Sequence, residues 1–213
     1  MEKQILLISR IRDEDSVPFI SWLLHGFAEP SFAADRDLAR CVINIPHRDQ
    51  ESVDGFDAVA EIWGSGASLS RIYDRLLATG RLERCLRYGV VEWVEKGGVQ
   101  PSGVSPGIKV IGCVAPHAHL DPGQVKAYWD QHVPLALDIH IGISRYVRNW
   151  VTGPDPGGPN FFGFPMLYFP TLEDFRDRYF RSAEAKRLHA ADVGQFVGSG
   201  VRLETTEHVF ARD

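Results

Sequence analysis

Two stretches of this 213-residue chain set a tryptophan three residues ahead of a histidine. One is Tyr128-Trp129-Asp130-Gln131-His132-Val133-Pro134; the other, an upstream echo, is Trp22-Leu23-Leu24-His25. On a helix that spacing puts both side chains on one face. A histidine so placed can serve as a general base, because imidazole titrates near neutrality. It can equally be a core imidazole held by a hydrogen bond. The echo at His25 favours the structural role, so both readings of His132 stay open.

Other residues could join it. His208 alternates with Glu204, Thr206 and Phe210 on one face of an extended segment. If that face lines an interior, His208 is an acid–base candidate oriented by Thr206 or Glu204; if it faces out, it is solvated. Tyr128 or Tyr146 could donate to a developing oxyanion, and Arg145 could pair with a substrate carboxylate. The alternatives are an aromatic in the core and an arginine at a strand edge. His117 and His119 form a His-x-His pair without a third ligand at metal spacing. One of them could meet an anionic substrate at a pocket rim. His140 follows a helix end, where a cation suits the dipole. His189 sits in a polar helical stretch and reads as solvated. Phe164 and the other strand aromatics read as core or as apolar walls for a flat ligand.

These residues need elements to position them. Residues 4–12 read as a strand, and Phe19 to Phe27 as a helix ended by Glu29-Pro30. Residues 40–46 and 56–63 are strands around a charged loop from His47 to Gly55. Ser68 caps a helix from Leu69 to about Arg87, which Gly80 can split, and Tyr88 to Lys96 is a strand. A stretch rich in Gly, Pro and Ser follows and reads as a linker. The order then restarts: strand 108–115, a helix opened by Asp121-Pro122, strands 145–151 and 161–169, helical pieces after Thr171 and Ser182, and a strand from Val201 to Phe210. Each half is therefore β-α-β-β-α-β, the ferredoxin-like order. The expected domains are residues 1–97, a linker at 98–107, and residues 108–213. One such unit leaves a sheet face bare. Two units can bury it by closing an α+β barrel within the chain.

Composition narrows the function. The net charge of -5 gives no reason to expect nucleic acid or an anionic membrane as partner. No apolar run approaches the ~20 residues of a membrane span. Three scattered cysteines suggest a reducing, cytoplasmic setting. There is no phosphate-binding loop and no Gly-x-Ser-x-Gly elbow.

The second half resembles a known family. Tyr-Trp-x-x-His-x-Pro-Leu at 128–135 is similar to the first-helix signature of the EthD family, within the dimeric α/β-barrel superfamily. Ser182-Ala-Glu-Ala-Lys-Arg-Leu-His-Ala-Ala-Asp192, with Phe196 and Thr205-Thr206-Glu207-His208, resembles its closing signature. The first half is a degenerate copy with Gly26-Phe27 in place of Val133-Pro134. The resemblance implies two ferredoxin-like repeats forming an intramolecular barrel. It also implies an enzyme of the kind that often works without cofactor on aromatic, lactone or dienoate substrates.

The expectation is a cofactor-free isomerase or lyase acting through an enol on a small aromatic-derived or polyketide-like acid. His132 and His208 are the candidate bases, with Tyr128 and Tyr146 as oxyanion donors. Arg145, Trp129, His117 and Phe164 are the substrate-binding candidates, and no metal is expected. A small-molecule sequestration protein and a haem-binding protein are the alternatives. Association of two chains is left open.

Overall fold

The computed structural model describes residues 1–47, 55–97 and 100–212. Most of the charged loop expected after His47, and the first two residues of the expected linker, lie outside them. The first half comprises β1 (Glu2–Arg10), α1 (Ser16–Ser21), α2 (Glu29–Ala34), β2 (Leu38–Pro46), β3 (Ala58–Gly64), α3 (Gly66–Leu77) and β4 (Leu82–Lys96). A two-residue strand, β5 (Gly103–Val104), precedes the second half. There follow β6 (Ile108–Pro116), α4 (Pro122–Ile139), β7 (Arg145–Gly153), β8 (Gly163–Phe169), α5 (Leu172–Asp177), α6 (Ala183–Val193) and β9 (Val197–Ala211).

Eight strands form an antiparallel barrel in the order β2-β3-β1-β4-β7-β8-β6-β9, and β9 pairs back onto β2. Two long strands make the seams. β4 pairs with β1 through its first part and with β7 through its second. β9 likewise pairs with β6 and then with β2. The order within the first half is second, third, first, fourth strand, and β7-β8-β6-β9 has that order again.

Alternation sorts the side chains onto two sides. Ile5 and Leu7 point into the barrel with Tyr88, Ile111 and Phe164, whereas Leu6 and Ile8 pack outward with Phe19 and Leu23 of the helical layer. Each fully buried side chain of this size contributes roughly 1.5–3 kcal/mol. Towards one end the interior is charged instead. Glu61 is ion-paired with both Lys3 and Lys109, and Glu207 with Lys109 and Arg145. Burial alone would push the Glu61 carboxyl up; the Lys109 and Lys3 ammonium groups outweigh it and hold it well below the usual range.

Several boundaries differ from the sequence reading. The first helix does not stop at Glu29-Pro30. A π-helical stretch, Trp22–Ala28, bonds the Glu29 N–H to the Leu24 carbonyl, and α2 runs on with Pro30 in its first turn, where a missing N–H is tolerated. Ser65, not Ser68, caps α3 by accepting the Ser68 N–H. That helix ends at Leu77, and Gly80, at φ 68°, turns the chain into a strand that starts at Leu82 rather than Tyr88. The three cysteines are free and buried. Among the described residues no helix is long and apolar enough to cross a membrane.

Candidate active site

α4 is built to present one face. Asp121 caps it in a full capping box with Gln124, and Pro122 occupies the first turn. Val125, Trp129, His132, Val133, Ala136 and Ile139 are its buried residues, a helical stripe. α6 lies beside α4. Ser182 caps it by accepting the Ala185 N–H, and Ala185 is its buried residue. His189 and Asp192 follow Ala185 at helical spacing and share its side. Between these two helices and the outer face of the second-half sheet lies a cavity of about 290 Å³.

Its walls are Trp129, His132 and His140 from α4 and its end, His189 from α6, Tyr179 and Phe196 from the connections, and Tyr146 from β7. Its floor includes Gly112 and Gly200. A Cβ at Gly112 would meet the Pro165 ring at 2.9 Å, and one at Gly200 the Cys113 carbonyl at 2.9 Å. Side chains are thus kept off the floor, which leaves the cavity open. Arg202, half exposed, stands against Tyr179 and pairs with Glu204 at 2.8 Å.

The His132 Nδ1 lies 2.6 Å from Asp192 Oδ2. With Asp192 ionised, Nδ1–H donates, which fixes the tautomer and leaves the Nε2 lone pair free to take a proton. Burial lowers the His132 pKa below 6.5, and the Asp192 carboxylate partly restores it. The ring of His189 stands 5.3 Å from that of His132 and 5.1 Å from that of His140. Burial pushes His140 down to about 4 and His189 down to about 3, so neither carries charge at neutral pH. His140 Nδ1–H donates to the Tyr179 carbonyl at 2.7 Å. The Tyr146 hydroxyl lies near the Trp129 indole, and burial raises its pKa, so it stays a neutral donor.

The expected residues separate into two sets. His132, Trp129 and Tyr146 come together at this cavity. Tyr128 stacks on Phe196 behind it, with ring centroids 6.5 Å apart. His208 does not reach an interior. It pairs in register with Ile43, whose side chain belongs to the outer, helix-facing layer; the inward residues of β9 are Leu203, Thr205, Glu207 and Val209. Arg145 does point inward, but Glu207 already holds it at 2.7 Å. Phe164 is barrel core. His117 is at the surface, bonded to the Gly194 carbonyl and stacked on His119. Among the described residues no group of three or more potential ligands is placed to hold a metal.

Two residues expected elsewhere belong here. His140 was expected as a cation at a helix end; burial makes it neutral. His189 was expected in solvent; it lines the cavity. The spacing of Ala185, His189 and Asp192 carries the signal for His189, because it puts all three on the side of the helix that Ala185 buries. Arg202 carries no signal before its strand face is known. The first-half echo also fails. His25 is exposed and lies 3.3 Å from Glu29, and Asp15 makes no side-chain cap. The corresponding helix–sheet space holds only about 10 Å³, filled by Leu23, Phe27 and Phe32.

Comparison with solved structures finds this fold in proteins of low sequence identity. An anthrone oxidase-like protein superposes with a TM-score of 0.64 at 14% identity, over 98% of this chain and 91% of that one. A candidate monooxygenase from Fusobacterium nucleatum gives 0.58 at 8% identity, over 100% and 98%. A mutant chlorite dismutase from Candidatus Nitrospira defluvii, in complex with cyanide, gives 0.56 at 12% identity, over 97% and 90%. At such identities the likeness is one of fold. Residues 117–200 match the EthD domain model. No curated protein matches the sequence.

Proposed function

We propose that the chain is an enzyme in which the Asp192-oriented His132 removes a proton from a carbon acid bound in the second-half cavity. The observation that carries this reading is the 2.6 Å His132–Asp192 pair at the wall of a small, mainly apolar cavity that the first half lacks. Nε2 takes the proton. The electrons move onto the substrate carbonyl oxygen, which the Tyr146 hydroxyl can stabilise by donating a hydrogen bond. Arg202 would hold a carboxylate or phenolate at the mouth. The volume is near the lower end of the ~300–1,000 Å³ typical of ligand pockets and suits a molecule of one or two rings. Returning the proton to a different carbon completes an isomerisation. We also propose that residues 1–97 and 108–213 are duplicated ferredoxin-like units joined by a linker at 98–107. In that scheme the first has kept the fold and lost the cavity.

A second reading draws on the anthrone oxidase-like and monooxygenase neighbours. The same enolate could react with dioxygen, taking a CH₂ group to a carbonyl with release of water. Haem is the third. An imidazole tied to a carboxylate suits metal ligation, but a tetrapyrrole exceeds a cavity walled by Trp129, Tyr179, His189 and Phe196 at this volume. The group does not fit the site.

The test is deuterium wash-in. Phenolic, dienoic and anthrone-type carbon acids are incubated with the protein in D₂O and followed by NMR, with oxygen uptake recorded in parallel. Exchange that disappears in His132→Ala supports the base. Exchange with oxygen uptake selects oxygenation. Binding without exchange in any compound makes the protein a sequestering one, and a Soret band on adding haem overturns the steric argument.

A further inference from the structure

A second, larger cavity of about 520 Å³ occupies the charged end of the barrel interior. It lies on the opposite side of the sheet from His132. On β7, Val147 lines this cavity and Tyr146 lines the other. Its charges do not balance. Lys3, Lys109 and Arg145 are matched by Glu61, Glu92 and Glu207 through ion pairs. Arg40 is left over. Its guanidinium is half-buried over the Trp63 ring at 5.6 Å, and it makes no hydrogen bond or ion pair with the described residues. Glu207 and Glu61 act on that guanidinium only from a distance, and a half-buried cation with no carboxylate in contact is costly unless something supplies one.

A second polar group in the same cavity also lacks a partner. The Tyr168 hydroxyl is buried and makes no hydrogen bond of normal geometry. Ser105 lies nearby, but its hydroxyl is committed to Glu207 at 2.7 Å. The remaining wall is apolar, with Val42, Val94, Val147 and Met166 beside the Trp63 ring. The cavity reaches the surface at Met1, which lines it and is 89% exposed.

We propose that the barrel interior is a binding site for a small organic acid, with its carboxylate on Arg40 and its apolar body against Trp63, Val147 and Met166. Tyr168 offers a second donor elsewhere in the cavity. An uncharged ligand would leave Arg40 unmatched, and a bare inorganic anion would leave the apolar wall uncovered. The site is separate from the His132 cavity and does not depend on its chemistry.

Isothermal titration with benzoate, phenylacetate and 4-phenylbutyrate tests this, with the matching amides and inorganic phosphate as controls. At least one acid is expected to bind saturably, and its amide and phosphate at least tenfold more weakly. Arg40→Met should weaken the acid at least tenfold, Arg40→Lys less, and His132→Ala not at all. Val94→Glu places a competing carboxylate at an exposed part of the wall and should also weaken binding, a check that stands if Arg40→Met does not fold. No saturable binding of any acid, equal binding of acid and amide or of acid and phosphate, or loss of binding in His132→Ala, overturns the proposal.

Discussion

His132 and Asp192 are sixty residues apart in the chain, yet their side chains meet at 2.6 Å between two helices. Neither helix makes the pair alone. α4 contributes the imidazole from its buried stripe, and α6 the carboxylate from a mostly polar surface. The pair therefore reports whether the two helices are docked and also sets the state of the proposed base.

With a responsive substrate in hand, His132→Ala is expected to lower kcat/KM by about 10²–10⁴, the usual worth of general base catalysis. Asp192→Ala should cost less and should move the acid limb of the pH–rate profile to lower pH, because the Asp192 carboxylate raises the His132 pKa. The wild-type profile should be flat above neutrality and fall below pH 6.5. An acid limb that shifts upward in Asp192→Ala would contradict the assignment.

Stability should depend on pH through His140. Its folded pKa, about 4, lies below the 6.5 of an ordinary histidine, so the unfolded chain binds a proton more readily. Stability is then undiminished above pH 6.5, falls as the pH drops from 6.5 towards 4, and flattens below that for this residue. The loss is about 3 kcal/mol. His189 acts in the same direction. Urea titrations between pH 7 and 5 check the slope, and His140→Gln should reduce it. The Glu61 and Glu207 carboxylates contribute only at lower pH, because their folded pKa values are depressed below 4.5.

Glu61→Ala should destabilise by about 3–5 kcal/mol, because Lys3 and Lys109 would lose a shared buried counter-charge. Thermal unfolding measures this. A change under 1 kcal/mol would mean that water replaces the carboxylate in the barrel.

Gly163→Ala should also destabilise, by about 1–3 kcal/mol. Its Cβ would fall 2.3 Å from the Trp129 ring and 3.0 Å from the Asn149 carbonyl. The indole must move to admit the methyl group, so tryptophan fluorescence should change together with stability.

Most of the fold is legible from local pattern. The strand at 40–46, the Asp121-Pro122 start and the Thr171 and Ser182 caps are written in alternation and capping chemistry. The π-helical stretch was not, because Glu29-Pro30 reads as a stop unless the preceding turn is known to widen. The site was partly legible. Trp129, His132 and Tyr146 were found as candidates from their types and spacing. For His208, alternation defines two faces without saying which lies inside. Arg40 was invisible. An arginine at the start of a strand looks solvated, and only barrel closure encloses it.

That closure has a consequence for how the chain is made. β2 pairs on one side with β9, Arg40 opposite Ala211. At roughly 5–20 residues per second, a ribosome needs on the order of ten to thirty seconds after finishing β2 to deliver its partner. For that time the edge of β2 is bare, with Cys41, Val42 and Ile43 along it, and such an edge invites pairing with other chains. Nascent chains truncated before β9 should therefore be the aggregating species, and slower translation of the second half should lower the yield of folded protein.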